Sequence, residues 1–223
     1  EAKLKEIGGG ELRFVLNTHF HGDHTGGNVY FGAQAPILAH ANVRLRLEKP
    51  QTVRGNETEA LPPVGLPVIT YEDGLSVHLN GEEIRVFHLP HAHTDGDSVV
   101  WFTESNVVHM GDLLFYDHFP FVDLEHGGSV DGLLDGLSKV LEQVPADAKV
   151  IAGHFGPAVT LDEVREFRDM VEETAALVRS GMKEGATLEE LKEAGLPEKY
   201  DGWSWRFIDT GAWIETIVQS TDR

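Results

Sequence analysis

The chain has 223 residues, with 18 Lys or Arg against 37 Asp or Glu, and its formal net charge is −19. A polyanion of this kind repels phosphate groups, which argues against nucleic acid and against an anionic membrane surface as partners. Cysteine is absent and no apolar run approaches the roughly 20 residues of a membrane-spanning helix, so disulfides, thiolate metal ligands, a cysteine nucleophile and a transmembrane helix are all excluded.

The first third of the chain predicts short elements around one polar turn. The apolar residues between 12 and 16 predict a buried strand, preceded by a helix over residues 2–7 that a run of three glycines ends. Further on, the pattern predicts a helix over 25–31, a strand over 36–40 and a helix over 41–47. Residues 48–66 are rich in proline, show little periodicity and predict a long loop.

Strand signals dominate the middle of the chain and helix signals the end. Strands are predicted over 68–71, 76–79, 83–89, 99–103, 107–110 and 149–152, and Asn80-Gly81 predicts a hairpin turn. Helices are predicted after Ser129, after Thr160 up to about residue 180, after Thr187, and over 203–218. Strands mixed with helices indicate α/β layers in one domain over residues 1–223, with a helical C-terminal part over 158–223.

The stretch from Thr18 to His24 follows the first strand and carries four candidate metal ligands: His19, His21, Asp23 and His24. Imidazole and carboxylate groups together suit zinc, or iron or manganese at the harder end. Because a strand ending in a glycine-containing turn can fan its side chains outward, His19 and His21 could bind one ion while Asp23 and His24 face a second. The pattern H-x-H-x-D-H therefore predicts a metal site rather than a solvated polar turn.

Three later strand ends also deliver acidic or imidazole groups into glycine-rich turns. These are the stretch from His91 to Asp97, the residue Asp112, and the residue His154. Each alone is an ordinary turn feature. Together with the first turn they form a ligand inventory for two ions.

With these four segments in order, the chain resembles the metallo-β-lactamase-fold hydrolase superfamily over about residues 11–157. The resemblance implies an αβ/βα sandwich and a centre that holds two Zn²⁺ ions, with iron or manganese as other occupants. His93 is preferred over His91 because it precedes Thr94-x-Gly96. The implied ligands are His19, His21 and His93 for the first metal, Asp23, His24 and His154 for the second, and Asp112 as a bridge.

The resemblance implies a metallo-hydrolase that attacks the carbonyl of a small-molecule lactam, lactone, ester or thioester with metal-activated water. Asp23 and Asp112 would orient that water, and Asp23 would accept its proton. Tyr116, His118 and Phe119 follow the Asp112 strand and are predicted to contact the substrate. The bridging Asp is similar to that of the glyoxalase II and lactonase branches, but the short acidic tail argues against a glutathione thioester.

Some residues near the site are given supporting roles. Thr94 and Asp97 are predicted to hydrogen-bond the ligand imidazoles. The three tryptophans at 203, 205 and 213 are predicted to pack in the core rather than to form a substrate platform.

Two other functions stay open at this point. One is a mononuclear iron dioxygenase acting on sulfur compounds, a branch that uses the same first three histidines. The other is a catalytically inactive, shortened metal-binding protein, because family members usually place several strands before the first turn and this chain lacks them. Either the chain is a shortened form, or another chain covers the strand edge, as in a homodimer or a strand-swapped assembly.

Overall fold

The computed structural model describes residues 2–6 and 8–221 and divides into two compact units, residues 1–74 and residues 75–223. The helix predicted over 2–7 is present as α1 (Ala2–Glu6), and Ile7 lies outside the described residues. The single domain predicted over residues 1–223 stays a prediction, and its ends at residues 1, 222 and 223 also lie outside them. Within the described part of the chain, none of the helices combines the length and apolarity that crossing a bilayer requires.

The first unit contains a small parallel sheet in the order β1-β2-β5. Its strands are β1 (Val15–Leu16), β2 (Ile37–His40) and β5 (Ile69–Tyr71). Besides α1, the unit contains the helices α2 (Gly22–Thr25), α3 (Asn28–Gly32) and α4 (Ala41–Leu47). One hydrophobic cluster of this unit consists of the buried residues Phe20, Ala39, Val43, Leu47 and Leu66.

The segment predicted as a loop over 48–66 contains a hairpin, and that prediction is wrong. Strands β3 (Gln51–Val53) and β4 (Asn56–Thr58) pair antiparallel across Arg54-Gly55. Both turn residues have positive φ, 50° and 76°, as a two-residue hairpin turn of type I′ requires. The sequence does not predict this turn, because its first residue is Arg, whereas Asn or Asp is typical of that position.

The second unit contains a five-stranded sheet in the order β10-β9-β8-β7-β6. Its strands are β6 (Gly74–Leu79), β7 (Glu82–His88), β8 (Ser98–Phe102), β9 (Val107–His109) and β10 (Lys149–Ile151). The predicted hairpin turn at Asn80-Gly81 is confirmed, with φ of 56° and 84°. Strand β10 runs parallel to β9, so the strand ends that precede Asp112 and His154 lie at the same edge of the sheet.

Helices complete the second unit, and their buried residues share one hydrophobic core with those of the sheet. They are α5 (Val130–Gln143), α6 (Leu161–Lys183), α7 (Leu188–Ala194) and α8 (Thr210–Thr221). The predicted N-caps at Ser129, Thr160 and Thr187 are all present, the last two as full capping boxes with Glu163 and Glu190. Leu133, Leu137, Leu161, Phe167 and Trp213 are among the fully buried core residues.

The last helix begins seven residues later than the predicted range 203–218. Residues Glu198–Trp203 form a 3₁₀ turn, and α8 starts at Thr210. The start is set by side chains, because Asp209 Oδ1 accepts a hydrogen bond from the Ala212 N–H at 2.8 Å and Ser204 Oγ accepts one from the Thr210 N–H at 3.1 Å. Trp205 therefore lies in an irregular connection rather than on a helix.

Candidate functional site

The first histidines of the chain lie in the turn that joins β1 to α2. His19 and His21 are buried, and His19 Nε2 lies 3.1 Å from His21 Nδ1. The other ring nitrogen of His19, Nδ1, lies 3.1 Å from Thr18 Oγ1. The Thr18 hydroxyl thus fixes the orientation of the His19 ring and leaves Nε2 facing His21, as a pair of ligands requires.

Asp23 and His24 follow in the first turn of α2. Asp23 Oδ2 lies 3.5 Å from His24 Nε2, and the Asp23 side chain is 58% exposed while that of His24 is 13% exposed. Sequence reasoning missed the support below this turn, a buried amide pair of Asn17 and Asn28 that exchange two hydrogen bonds of 3.0 and 2.9 Å. An asparagine in a turn is too common to signal such a pair.

His93 lies in the turn after β7, and its ring is fully buried. Its Nδ1 lies 2.7 Å from the carbonyl oxygen of Phe121. Because a carbonyl only accepts, Nδ1 carries the hydrogen, and Nε2 is left with a lone pair. This Nε2 lies 3.6 Å from Asp112 Oδ2. His91, by contrast, is exposed, with its Nδ1 3.0 Å from the carbonyl oxygen of Gly127.

Asp112 and His154 meet at the edge where β9 and β10 end. Asp112 Oδ2 lies 3.2 Å from His154 Nε2, and the Asp112 side chain is 5% exposed. Gly153 makes this approach possible: a Cβ there would collide with Asp112 Oδ1 and with the backbone of Gly111. The Gly153 N–H also donates to the Gly111 carbonyl at 2.8 Å, which fixes the two turns to each other.

Asp97 supports the turn that carries His93, although by a different contact from the one predicted. Its carboxylate accepts hydrogen bonds of 2.7 Å from both the backbone N–H and the hydroxyl of Thr94. Burial raises the pKa of Asp97 to about 8, and the Thr94 hydrogen bonds oppose that rise. Asp97 and Thr94 were predicted to hydrogen-bond the ligand imidazoles. At His93 the Phe121 carbonyl takes that place instead.

The predicted substrate contacts differ in exposure. Tyr116 and His118 are partly exposed, but Phe119 is fully buried in the core, where its ring stacks on that of Trp213. A ring without solvent access cannot touch a substrate at the surface, so the role predicted for Phe119 needs correction. Its carbonyl oxygen accepts a hydrogen bond of 2.8 Å from Trp205 Nε1, which gives Phe119 a supporting role.

The donor atoms within each unit suit a divalent cation. Two ligand atoms about 2.1 Å from a tetrahedral zinc lie roughly 3.4 Å apart. The separations of 3.1 Å in the first unit and of 3.2 and 3.6 Å in the second match this spacing. Imidazole nitrogens with one carboxylate are borderline ligands that zinc, iron and manganese all accept.

The sequence profile of the metallo-beta-lactamase superfamily matches residues 1–176. The chain therefore belongs to the metallo-beta-lactamase superfamily. Solved structures agree on the fold: the BLEG-1 B3 metallo-beta-lactamase superposes with a TM-score of 0.63 at 24% identity, covering 76% of this chain and 81% of that one. TTHA1623 in a di-iron-bound form gives a TM-score of 0.56 at 28% identity over 73% of this chain and 78% of that one.

Curated relatives that the chain resembles are named as hydrolases. The hydroxyacylglutathione hydrolase of Methylococcus capsulatus is 30% identical over 185 residues, which are 78% of this chain and 62% of the relative. That of Rhodospirillum rubrum is 31% identical over 148 residues, or 66% of this chain and 49% of the relative. The chain thus spans about half to three fifths of the length of these relatives.

Proposed function

We propose that this protein is a metal-dependent hydrolase that cleaves a small-molecule carbonyl compound, such as a thioester, ester, lactone or lactam. The observation that carries the proposal is the placement of Asp112 Oδ2 between the Nε2 atoms of His93 and His154, at 3.6 and 3.2 Å. A buried carboxylate between two imidazole nitrogens is suited to holding cations. Membership of the superfamily and the hydrolase relatives support the same reaction class.

The ligand assignment that we propose follows the four polar segments along the chain. His19, His21 and His93 would hold one divalent ion, Asp23, His24 and His154 would hold a second, and Asp112 would bridge. The order of the four segments along the chain and the donor spacing inside each unit support this assignment. When bound, such ions lower the pKa of water and polarise a carbonyl oxygen.

The chain's own groups would then have distinct tasks. The hydrogen bond from His93 Nδ1 to the Phe121 carbonyl fixes the ring orientation and keeps Nε2 in the ligating tautomer. The Asp112 carboxylate would partly neutralise the positive charge of the bound ions and orient the attacking water. The exposed Asp23 carboxylate would accept the proton that the water releases and deliver it to the leaving group.

A thioester is the substrate class that we place first. The relatives named hydroxyacylglutathione hydrolase carry this choice. Zinc is the metal that we place first, and iron is the main competitor because TTHA1623 is described in a di-iron-bound form.

Metal content measured by mass spectrometry, together with thioester, lactone and β-lactam hydrolysis, tests the proposal. We expect about two divalent ions per chain and turnover of at least one of these substrates. His93→Gln should lose metal and activity, while His91→Gln, an exposed neighbour in the same turn, should keep both. Circular dichroism spectra of the two variants would verify that each is folded.

Other outcomes separate the alternatives. A single iron per chain with no hydrolysis of any of the three substrates would favour the dioxygenase. Purified protein that binds no added zinc or iron would refute the ligand assignment as well as the hydrolase. Equal metal loss in His91→Gln and His93→Gln would contradict the choice of His93 over His91 as the metal ligand.

A further inference from the structure

Four aromatic rings from three segments of residues 75–223 form a continuous surface, called here the aromatic ledge: His118, Phe155, Trp205 and Phe207. His118 and Phe155 stack with ring centroids 4.1 Å apart and planes 18° apart. Phe155 meets Trp205 edge to face at 5.1 Å, and Trp205 meets Phe207 in the same way at 5.3 Å. Such pairs prefer these geometries, so the rings support one another's positions.

The aromatic ledge begins at a proposed metal ligand. Phe155 follows His154 directly, and the two ring centroids lie 6.0 Å apart. Below them the buried Phe115 stacks on the His154 ring at 5.5 Å and lies 5.8 Å from Trp205. A substrate group next to His154 would therefore reach the aromatic surface within one ring's length.

Parts of the ledge are open to solvent although they are large and apolar. Phe155 is 42% exposed and Phe207 is 49% exposed. Both are held near Trp205, which is fixed by the hydrogen bond from its Nε1 to the Phe119 carbonyl and by another from its backbone N–H to the Ile208 carbonyl at 3.0 Å. Contiguous exposed apolar surface that is held in place typically marks a binding site.

The charges beside the ledge indicate what kind of group it accepts. Asp117 and Glu163 both act on Tyr116, and they raise the pKa of its hydroxyl, Asp117 most strongly. Acidic groups beside the ledge disfavour an anionic group on the ledge itself. The guanidinium of Arg206 lies 5.2 Å over the ring of Phe207, at the far end of the ledge.

We propose that the aromatic ledge is a specificity subsite that binds a neutral aromatic or long alkyl arm of the substrate. The inference rests on the proposed function and narrows it to carbonyl compounds with an apolar arm, in preference to small or highly charged ones. Burial of that arm against Phe155, Trp205 and Phe207 supplies the binding free energy, since apolar contact is non-directional and scales with area.

The test compares two thioesters of the same thiol, one acetyl and one 4-phenylbutanoyl, through the rate of thiol release. We expect kcat/KM to be about tenfold or more higher for the phenylbutanoyl compound. Phe155→Ser and Phe207→Ser should each lower this ratio, mainly by raising KM for the phenylbutanoyl compound. Leu177→Ser is the matched control, because Leu177 is 46% exposed on α6 and makes none of the ring contacts above.

A binding measurement keeps the inference separate from the proposed function. Calorimetric titration of the metal-loaded protein should show tighter binding of 4-phenylbutanoate than of butanoate, with the difference reduced in Phe207→Ser. That result without hydrolysis of either thioester would support the ledge as a binding subsite and overturn the proposed hydrolase function. Equal binding of the two acids, or an unchanged ratio of kcat/KM in both ledge variants, would overturn the ledge.

Discussion

The candidate ligands in the first unit and those in the second are held in place by different means. Those of the first lie close together in the sequence, between His19 and His24, in the turn after a two-residue strand and in a four-residue helix, in a unit whose buried cluster is small. Those of the second come from three strand ends over a large core, locked by Gly153 and by the Phe121 carbonyl. The first set depends on local sequence, and the second on tertiary structure, so the second should be the better preorganised.

The largest effect is expected at Asp112. Asp112→Asn keeps the size of the side chain but removes the charge between His93 and His154, so kcat/KM should fall by at least about a hundredfold, more than the loss of a residue that only supports a ligand. Steady-state hydrolysis and metal content per chain measure this. A variant that retains full metal content and rate would show that Asp112 neither bridges nor orients water.

Glycine substitutions compare the two regions directly. Gly153→Ala places a methyl group against Asp112 Oδ1, so metal affinity should fall by about ten- to a hundredfold. Gly22→Ala, in the turn of the first unit, places its methyl group in open space and should leave metal affinity unchanged. Competition with a fluorescent chelator gives both affinities. Equal losses would mean that the first turn is packed as tightly as the second.

Metal removal should loosen the two regions unequally. After chelation, amide protons of Thr25 and Gly26, which donate to the carbonyls of His21 and Gly22, should exchange about tenfold faster or more. The N–H of Met110, which donates to the Ile151 carbonyl inside the second unit, should change less. Hydrogen exchange followed by mass spectrometry reports both segments. Equal acceleration in the two would contradict the difference in preorganisation.

The smallest effect is expected at the start of α6. Thr160→Ala removes the capping box and should cost about 1 kcal/mol of the free energy of unfolding. The Thr160 backbone N–H holds the pKa of Glu163 below its usual range. The contribution of Glu163 is therefore complete above the ordinary glutamate pKa and lost as pH falls through the lower folded value.

Denaturant unfolding of the wild type and of Glu163→Gln measures this pH dependence. The difference in stability between them should be present near neutral pH and shrink on acidification. Neither variant should change metal content, since α6 begins with an exposed cap. A difference that grows in acid would reverse the assigned sign.

Local chemistry made much of the fold predictable. Asn80-Gly81, Ser129 and the two capping boxes each act within four residues, and the structure has all of them. The candidate ligands were also readable, because polar residues directly after short apolar strands stand out. The proposed ligand set itself stays a prediction.

Features that depend on distant residues were not predictable. The start of α8 was misplaced because apolar residues continue upstream, whereas Asp209 and Ser204 decide the boundary through hydrogen bonds. The role of Gly153 depends on Asp112, which approaches it only in the folded sheet. Trp205 was expected in the core, and it does pack against it, but it also touches Phe155 and Phe207, which a sequence pattern cannot show.

The backbone at Phe155 has a consequence for laboratory evolution. Its φ of 64° lies in the left-handed region, where a side chain is costly and glycine is not. Selection for heat resistance alone should therefore enrich glycine or asparagine at this position. Selection for turnover of bulky compounds should restore phenylalanine. The residue found at position 155 would therefore distinguish variants selected for stability from variants selected for activity.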